Sequence, residues 1–311
     1  MNLPPWHVEA WQRLQQRRRR ESLPHALLLS GPAGLGKRDF LRRFVQGLLC
    51  QQSEDGEPCG VCRSCRLLAA GTHPDVIAVS QGLRKDGTQR SEIVVEQIRE
   101  LCARLAMASQ FGGWQVALLD PADAMNAAAA NALLKTLEEP TPQTLIALVA
   151  DAPWRLPATI RSRCQRIDFS LPPSAQALAW LQAQGVQAAA QALAAAGGNP
   201  GLALTWATQG ALERREAVRG DLAALAAGRT TPLPVARRWQ EDEPAQRLWF
   251  AAQAAADEAR ARADGSPPPL ASRLDAETLQ AWFDEANRAR EALRGPLRAD
   301  LVLFDLLGRW H

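Results

Sequence analysis

Lysine is almost missing from this chain: of its 36 basic residues only Lys37, Lys85 and Lys135 are lysine, and the rest are arginine. A lysine kept against that background marks a position. Long apolar runs are missing too. None approaches the roughly 18–20 residues that span a bilayer. The opening stretch MNLPPWHVEAWQ has no charged start followed by an apolar run, so a secretory leader is not expected and a cytoplasmic location is. No heptad run, internal repeat or low-complexity tail occurs, which excludes coiled-coil and solenoid classes. There is also no base-reading module such as a recognition helix. A net charge of +3 permits contact with nucleic acid without demanding it, and any such contact is expected to be to backbone and shape.

What is present is a soluble globular composition, 47% hydrophobic and 22% charged, over 311 residues, enough for two or three domains. Short apolar runs at 26–29, 76–79, 116–119 and 145–149 read as strands buried on both faces. Between them, Val94, Ile98, Leu101 and Leu105 form one helical stripe, and the helix over 126–139 stops at Pro140. Alternation of this kind predicts an α/β domain with a parallel sheet over residues 1–170. After Leu171-Pro172-Pro173 the pattern is helical, broken at Gly197-Gly198-Asn199-Pro200, which predicts a small helical domain at 171–208 and a larger one at 209–311. Trp239, Trp249, Trp282 and Trp310 are candidate core or interface anchors there. The last helix is expected to place Leu297, Leu301, Phe304 and Leu307 on one side.

The first strand runs into Gly31-Pro32-Ala33-Gly34-Leu35-Gly36-Lys37-Arg38, the GxxxxGK frame of a P-loop. In such a loop Gly31, Gly34 and Gly36 let backbone N–H groups surround phosphate, and Lys37 reaches the outer phosphates. The next residue should carry a hydroxyl for Mg²⁺, yet Arg38 offers only donors and a fixed positive charge. The strand at 116–119 ends in Asp120-Pro121-Ala122-Asp123. Asp120 suits a metal, but Pro121 replaces the acid that would polarise an attacking water, and Asp123 lies three residues on. Phosphate binding remains open; ATP in this site is doubtful and hydrolysis is not expected.

Cys50-x8-Cys59-x2-Cys62-x2-Cys65 supplies four soft ligands whose spacing fits a structural, tetrahedral Zn²⁺. Cys102 lies on the apolar stripe of its helix, Cys164 reads as packing, and His73 reads as a turn residue. Arg17-Arg18-Arg19-Arg20 is either a solvated helix end or a track for phosphates. Lys135 and Glu138 share a helix face at i, i+3, the spacing of an intrahelical pair.

Asn131-Ala132-Leu133-Leu134-Lys135-Thr136-Leu137-Glu138-Glu139-Pro140 resembles the NALLKTLEEP segment of bacterial clamp-loader AAA+ subunits. Ser162-Arg163-Cys164, following Leu156 to Arg161, resembles their SRC motif, and Gly71-Thr72-His73-Pro74-Asp75 after the cysteine cluster also fits. The resemblance covers the first two domains by specific motifs and the third in outline. It implies a P-loop (AAA+) α/β domain with a zinc module at 50–65, then a helical lid and an all-α collar. It also implies partners: gamma/tau and delta subunits in a hetero-oligomeric ring, and through them the sliding clamp and primer-template DNA. Where the family's first sensor would stand, the strand closes Leu148-Val149-Ala150-Asp151, and Gly201 takes the place of the second sensor's arginine. These departures make the chain similar to a non-catalytic subunit, and less so to a hydrolysing gamma/tau-type ATPase, which is the alternative. An adaptor outside replication is a further one. Arg163 alone could be a surface arginine beside Arg161 and Arg166; the resemblance makes it a finger inserted into the neighbouring subunit's ATP site.

Overall fold

The computed structural model describes residues 3–82, 90–293 and 298–310, so that Lys85 and Leu297 lie outside the described residues. The chain divides into two compact units, one of Met1–Gln176 with Asn199–Gly201 and the other of Ala177–Gly198 with Leu202–His311.

In the first unit, α1 (Val8–Arg19) leads to β1 (Ala26–Ser30), α2 (Lys37–Leu49), α3 (Arg63–Ala69), β2 (Val76–Val79), α4 (Val95–Leu105), β3 (Gln115–Leu119), α5 (Ala127–Glu138), β4 (Thr144–Ala150), α6 (Ala158–Arg161) and β5 (Gln165–Asp168). The strands form one parallel sheet in the order β2-β3-β4-β1-β5, with Leu28 opposite Leu148 and Ala117 opposite Ile146. Every residue of β1 and β4 is buried, which is why they read as unbroken apolar runs. One face packs Leu28, Ala117 and Ile146 against Ile98 and Leu101 of α4 and Leu133 of α5. The other packs Leu27, Leu29 and Val149 against Trp11 of α1 and Phe40 and Phe44 of α2. β5 is absent from the sequence reading because its Gln-Arg-Ile-Asp is a polar, largely exposed edge without an apolar run.

The segment between α2 and α3 is stapled to α1 and α2. Arg19 of α1 pairs with Asp55 at 2.9 Å and Arg43 of α2 with Glu57 at 2.8 Å, while Arg18 joins α1 to α2 by donating to Gly47 O at 3.0 Å. The contact is tight enough that a Cβ at Gly47 would stand 1.9 Å from Gly56 O. Two arginines of the 17–20 run therefore have partners within the chain.

The second unit is helical among the described residues: the C-terminal part of α7 (Ser174–Ala183), α8 (Ala189–Ala195), most of α9 (Pro200–Ala207), α10 (Ala211–Ala226), α11 (Pro232–Glu241), α12 (Pro244–Asp264), α13 (Ala276–Ala292) and α14 (Ala299–Gly308). Trp239, Trp282 and Trp310 are fully buried, and each indole N–H has an acceptor: Asp221, Leu306 O and Leu222 O respectively. The carboxylate of Glu258, also fully buried, receives the N–H groups of Leu270 at 2.7 Å and Ser272 at 2.9 Å and so ties the loop after α12 to that helix. The expected stripe on α14 is corrected. Leu307 is buried, with Leu303 and Leu306, while Leu301 and Phe304 are 59% and 45% exposed. No helix among the described residues is long and apolar enough to cross a membrane.

Candidate functional site

The loop from β1 to α2 has the backbone a P-loop requires, with Gly31, Gly34 and Gly36 all at positive φ. Its lysine, however, is turned inward. Lys37 is only 2% exposed. Its Nζ donates to Gly31 O at 2.6 Å and Pro32 O at 2.7 Å, and pairs with Asp151 Oδ1 at 2.6 Å. An ammonium has three protons, and all three have acceptors within the chain. Burial pushes the Lys37 pKa down, and Asp151 works against that fall.

Asp151 follows directly on β4, and Asp120 directly on β3, so the parallel strands deliver both carboxylates to the same sheet edge as the P-loop. Arg38 joins them. Its Nε and Nη2 meet Asp120 at 2.8 and 2.7 Å, and Nη2 also meets Asp151 at 3.0 Å. Burial acts to lower the Arg38 pKa, but its bonds to Asp151 and Asp120 hold it above the usual value. Burial alone would raise the Asp151 carboxyl; bonds from Arg38 and Lys37 more than offset this and hold it below the usual carboxylate range. Two cations and two anions sum to zero where a nucleotide site presents positive charge. Asp123 plays another part: its carboxylate receives the N–H groups of Asp151 and Ala152 at 3.3 and 3.1 Å and fixes the turn that presents Asp151.

The loop is covered as well as filled. Asn199 donates to Ala33 O at 2.7 Å, and Gly201 approaches so closely that a Cβ there would lie 1.7 Å from Gly34 O. Position 201 thus excludes every side chain, arginine included. Buried His7 meets Leu35 O at 2.7 Å, with its pKa lowered by burial. A cavity of about 590 Å³ is lined by Arg38, Leu41, Leu118 and Asp120 among others, but by none of Gly31, Gly34, Gly36 or Lys37.

Arg163 stands in the turn between α6 and β5, with a side chain 36% exposed. Its Nε and Nη2 contact Glu138 Oε1 at 2.8 and 2.5 Å, and Nη1 donates to Thr159 O at 3.0 Å. Glu138 therefore meets Arg163 and not Lys135, which corrects the intrahelical pair expected from spacing. Cys164 beside it is buried, and burial pushes its thiol up to about 11.

The four sulfurs of Cys50, Cys59, Cys62 and Cys65 lie within 4.8 Å of one another. Cys50 and Cys62 are 3.9 Å apart, Cys59 and Cys65 4.0 Å. Four thiolates placed tetrahedrally about 2.3 Å from one ion lie about 3.8 Å apart, so the set fits a metal. Backbone N–H groups of Cys59, Cys62 and Cys65 point at the sulfurs of Cys50, Cys59 and Cys62, as a thiolate cluster needs. His73 stays out of this set: Nε2 bonds Ser64 Oγ at 3.0 Å and Nδ1 accepts from Asp75 N at 3.2 Å. Cys102 accepts from Thr136 Oγ1 at 3.1 Å and packs beside the sheet core.

The sequence singled out the loop, the cysteines and Arg163. It did not single out Asp151 as the partner of Lys37, Asn199 as a cover or Glu138 as the partner of Arg163. An acid at the end of a wholly apolar strand was the available signal for Asp151.

A GxxxxGK loop after the first strand of a five-stranded parallel sheet defines the class: a P-loop α/β protein of the AAA+ kind. The family profile described as "DNA polymerase III, delta subunit" matches residues 6–173. The chain is 38% identical to DNA polymerase III subunit delta' of Pseudomonas aeruginosa over 76% of its own length and 70% of that protein's. It is 33% identical to the Escherichia coli K12 subunit of the same name over 92% and 88%. The chain belongs to this delta' family of DNA polymerase III subunits. A solved gamma subunit-related protein of Thermotoga maritima covers 97% of both chains with a TM-score of 0.47 and 14% identity.

The ion pair generates a stability test. Asp151→Asn leaves Lys37 buried without its counter-charge and is expected to destabilise the chain by roughly 2–3 kcal/mol, less than for a wholly buried pair because Asp151 is partly exposed. Urea unfolding at pH 7 measures it. The folded carboxyl titrates below its ordinary value of 3.8, so its contribution is complete above that value and is lost as pH falls through the lower one. The gap between wild type and variant should therefore begin to narrow below about pH 4 and close once the pH is below the lowered value. An unchanged urea midpoint at pH 7 would contradict the role given to Asp151.

Proposed function

We propose that this chain is a non-hydrolysing subunit of the replicative clamp loader, acting in the cytoplasm in a ring with gamma/tau and delta subunits to place the sliding clamp on primer-template DNA. The observation that carries the reading is the filled P-loop: all three protons of Lys37 are engaged within the chain, in a protein whose relatives are named as delta' subunits. Gly31, Gly34, Gly36 and Lys37 then serve as a structural turn in place of a nucleotide cradle. ATP would have to displace Asp151 from Lys37 and lift the backbone of Gly201 off the loop.

What the chain lacks for itself it supplies to another. Arg163 is the residue we assign to the ATP site of the neighbouring subunit, because a guanidinium pairs two phosphate oxygens and spreads charge where it develops. Residues 171–208 would form the lid and 209–311 the collar that joins the subunits. Cys50, Cys59, Cys62 and Cys65 would hold a zinc ion whose part is structural: with four protein thiolates no position is left for water.

Two experiments test these assignments. In a reconstituted clamp loader, Arg163→Ala should lower DNA-stimulated ATP turnover by at least about tenfold while the complex still assembles; turnover equal to wild type removes the finger. Elemental analysis of the purified chain should find about one zinc per molecule, lost in the Cys59→Ser, Cys62→Ser double variant. A metal-free chain of unchanged stability would remove the zinc.

A further inference from the structure

We infer that Glu138 is a positioning residue for Arg163, fixing the guanidinium so that its remaining N–H pair is presented to the phosphate of a neighbouring subunit's nucleotide. The inference rests on the reading of Arg163 given above.

A guanidinium has five N–H donors. Glu138 Oε1 takes one from Nε and one from Nη2, and Thr159 O takes one from Nη1. One N–H is then left on each terminal nitrogen, and two N–H groups of that kind match two phosphate oxygens. Two separate elements thus restrain the side chain, the C-terminal end of α5 through Glu138 and α6 through the backbone of Thr159. A free arginine would have to order its rotamers at each encounter; one already held keeps the fork directed before the nucleotide arrives.

The bland alternative is an ordinary surface ion pair. Two observations weigh against it. Glu138 is the last residue of α5, at the negative end of the helix dipole, where a carboxylate is disfavoured. Lys135 offers a partner one turn back, yet the carboxylate reaches for Arg163, 25 residues away in sequence. Like any pair exposed to 36% and 50%, it contributes little to folding. Its consequence is direction.

The test is a double-variant cycle in the reconstituted complex, reading DNA-stimulated kcat, KM for ATP and assembly. Glu138→Ala should lower kcat about tenfold with KM and assembly little changed. Glu138→Gln, which keeps an acceptor at Oε1, should recover part of the loss. On an Arg163→Ala background Glu138→Ala should have no further effect, because it acts only through that arginine. The inference is overturned if Glu138→Ala leaves kcat unchanged or raises it, or if it lowers kcat equally without Arg163. If Arg163→Ala itself has no effect, it is the finger assignment that fails.

Discussion

The buried pair of Lys37 and Asp151 is the constraint on which the rest of this site depends. A lysine at 2% exposure cannot stay charged without a counter-charge. Most P-loops meet that need with phosphate; here the strand end meets it from within. Once Asp151 is committed to Lys37, Arg38 finds its acceptors in Asp151 and Asp120, and neither of these two carboxylates is left unpaired for a magnesium ion. Neutral and internally bonded, the loop then accepts the close backbone approach of Gly201 and the amide of Asn199, which a bound nucleotide would oppose.

Several changes that look like independent losses in the sequence are thereby one arrangement. Arg38 is a member of the charge cluster and not merely a missing hydroxyl. Asp123, too far along to replace the acid lost at Pro121, fixes the turn that presents Asp151. Gly201 is the residue that the covered loop admits. Elsewhere in the same unit, Arg163 is held by Glu138 and Thr159 O at the surface. In the reading proposed here, the chain's own nucleotide loop has become scaffold while its contribution to another's site is kept.

Much of this was legible because buried parallel strands write themselves as apolar runs, and because four cysteines within sixteen positions have few other uses. Arg163 was legible through its motif. What was not legible depends on partners distant in sequence. Glu138 lies a helix turn from Lys135, and spacing favours that pair; only the packing of α5 beside α6 brings Arg163 to it. Leu301 and Phe304 share periodicity with Leu307, but periodicity does not say which face of α14 meets the core. β5 is a largely exposed edge whose Gln-Arg-Ile-Asp carries no apolar run, unlike the Val-Ile-Ala-Val of the other edge strand β2. Asn199 and Gly201 come from the segment after α8 and touch the P-loop across more than 160 positions.

The most direct measurement is a calorimetric titration of the purified chain with ATP, with and without Mg²⁺. A loop whose lysine is held by Asp151 should give no saturable binding up to about millimolar nucleotide. Mg²⁺-dependent binding in the micromolar range, lost in Lys37→Ala, would contradict it: the lysine would then be answering to phosphate and not to the aspartate.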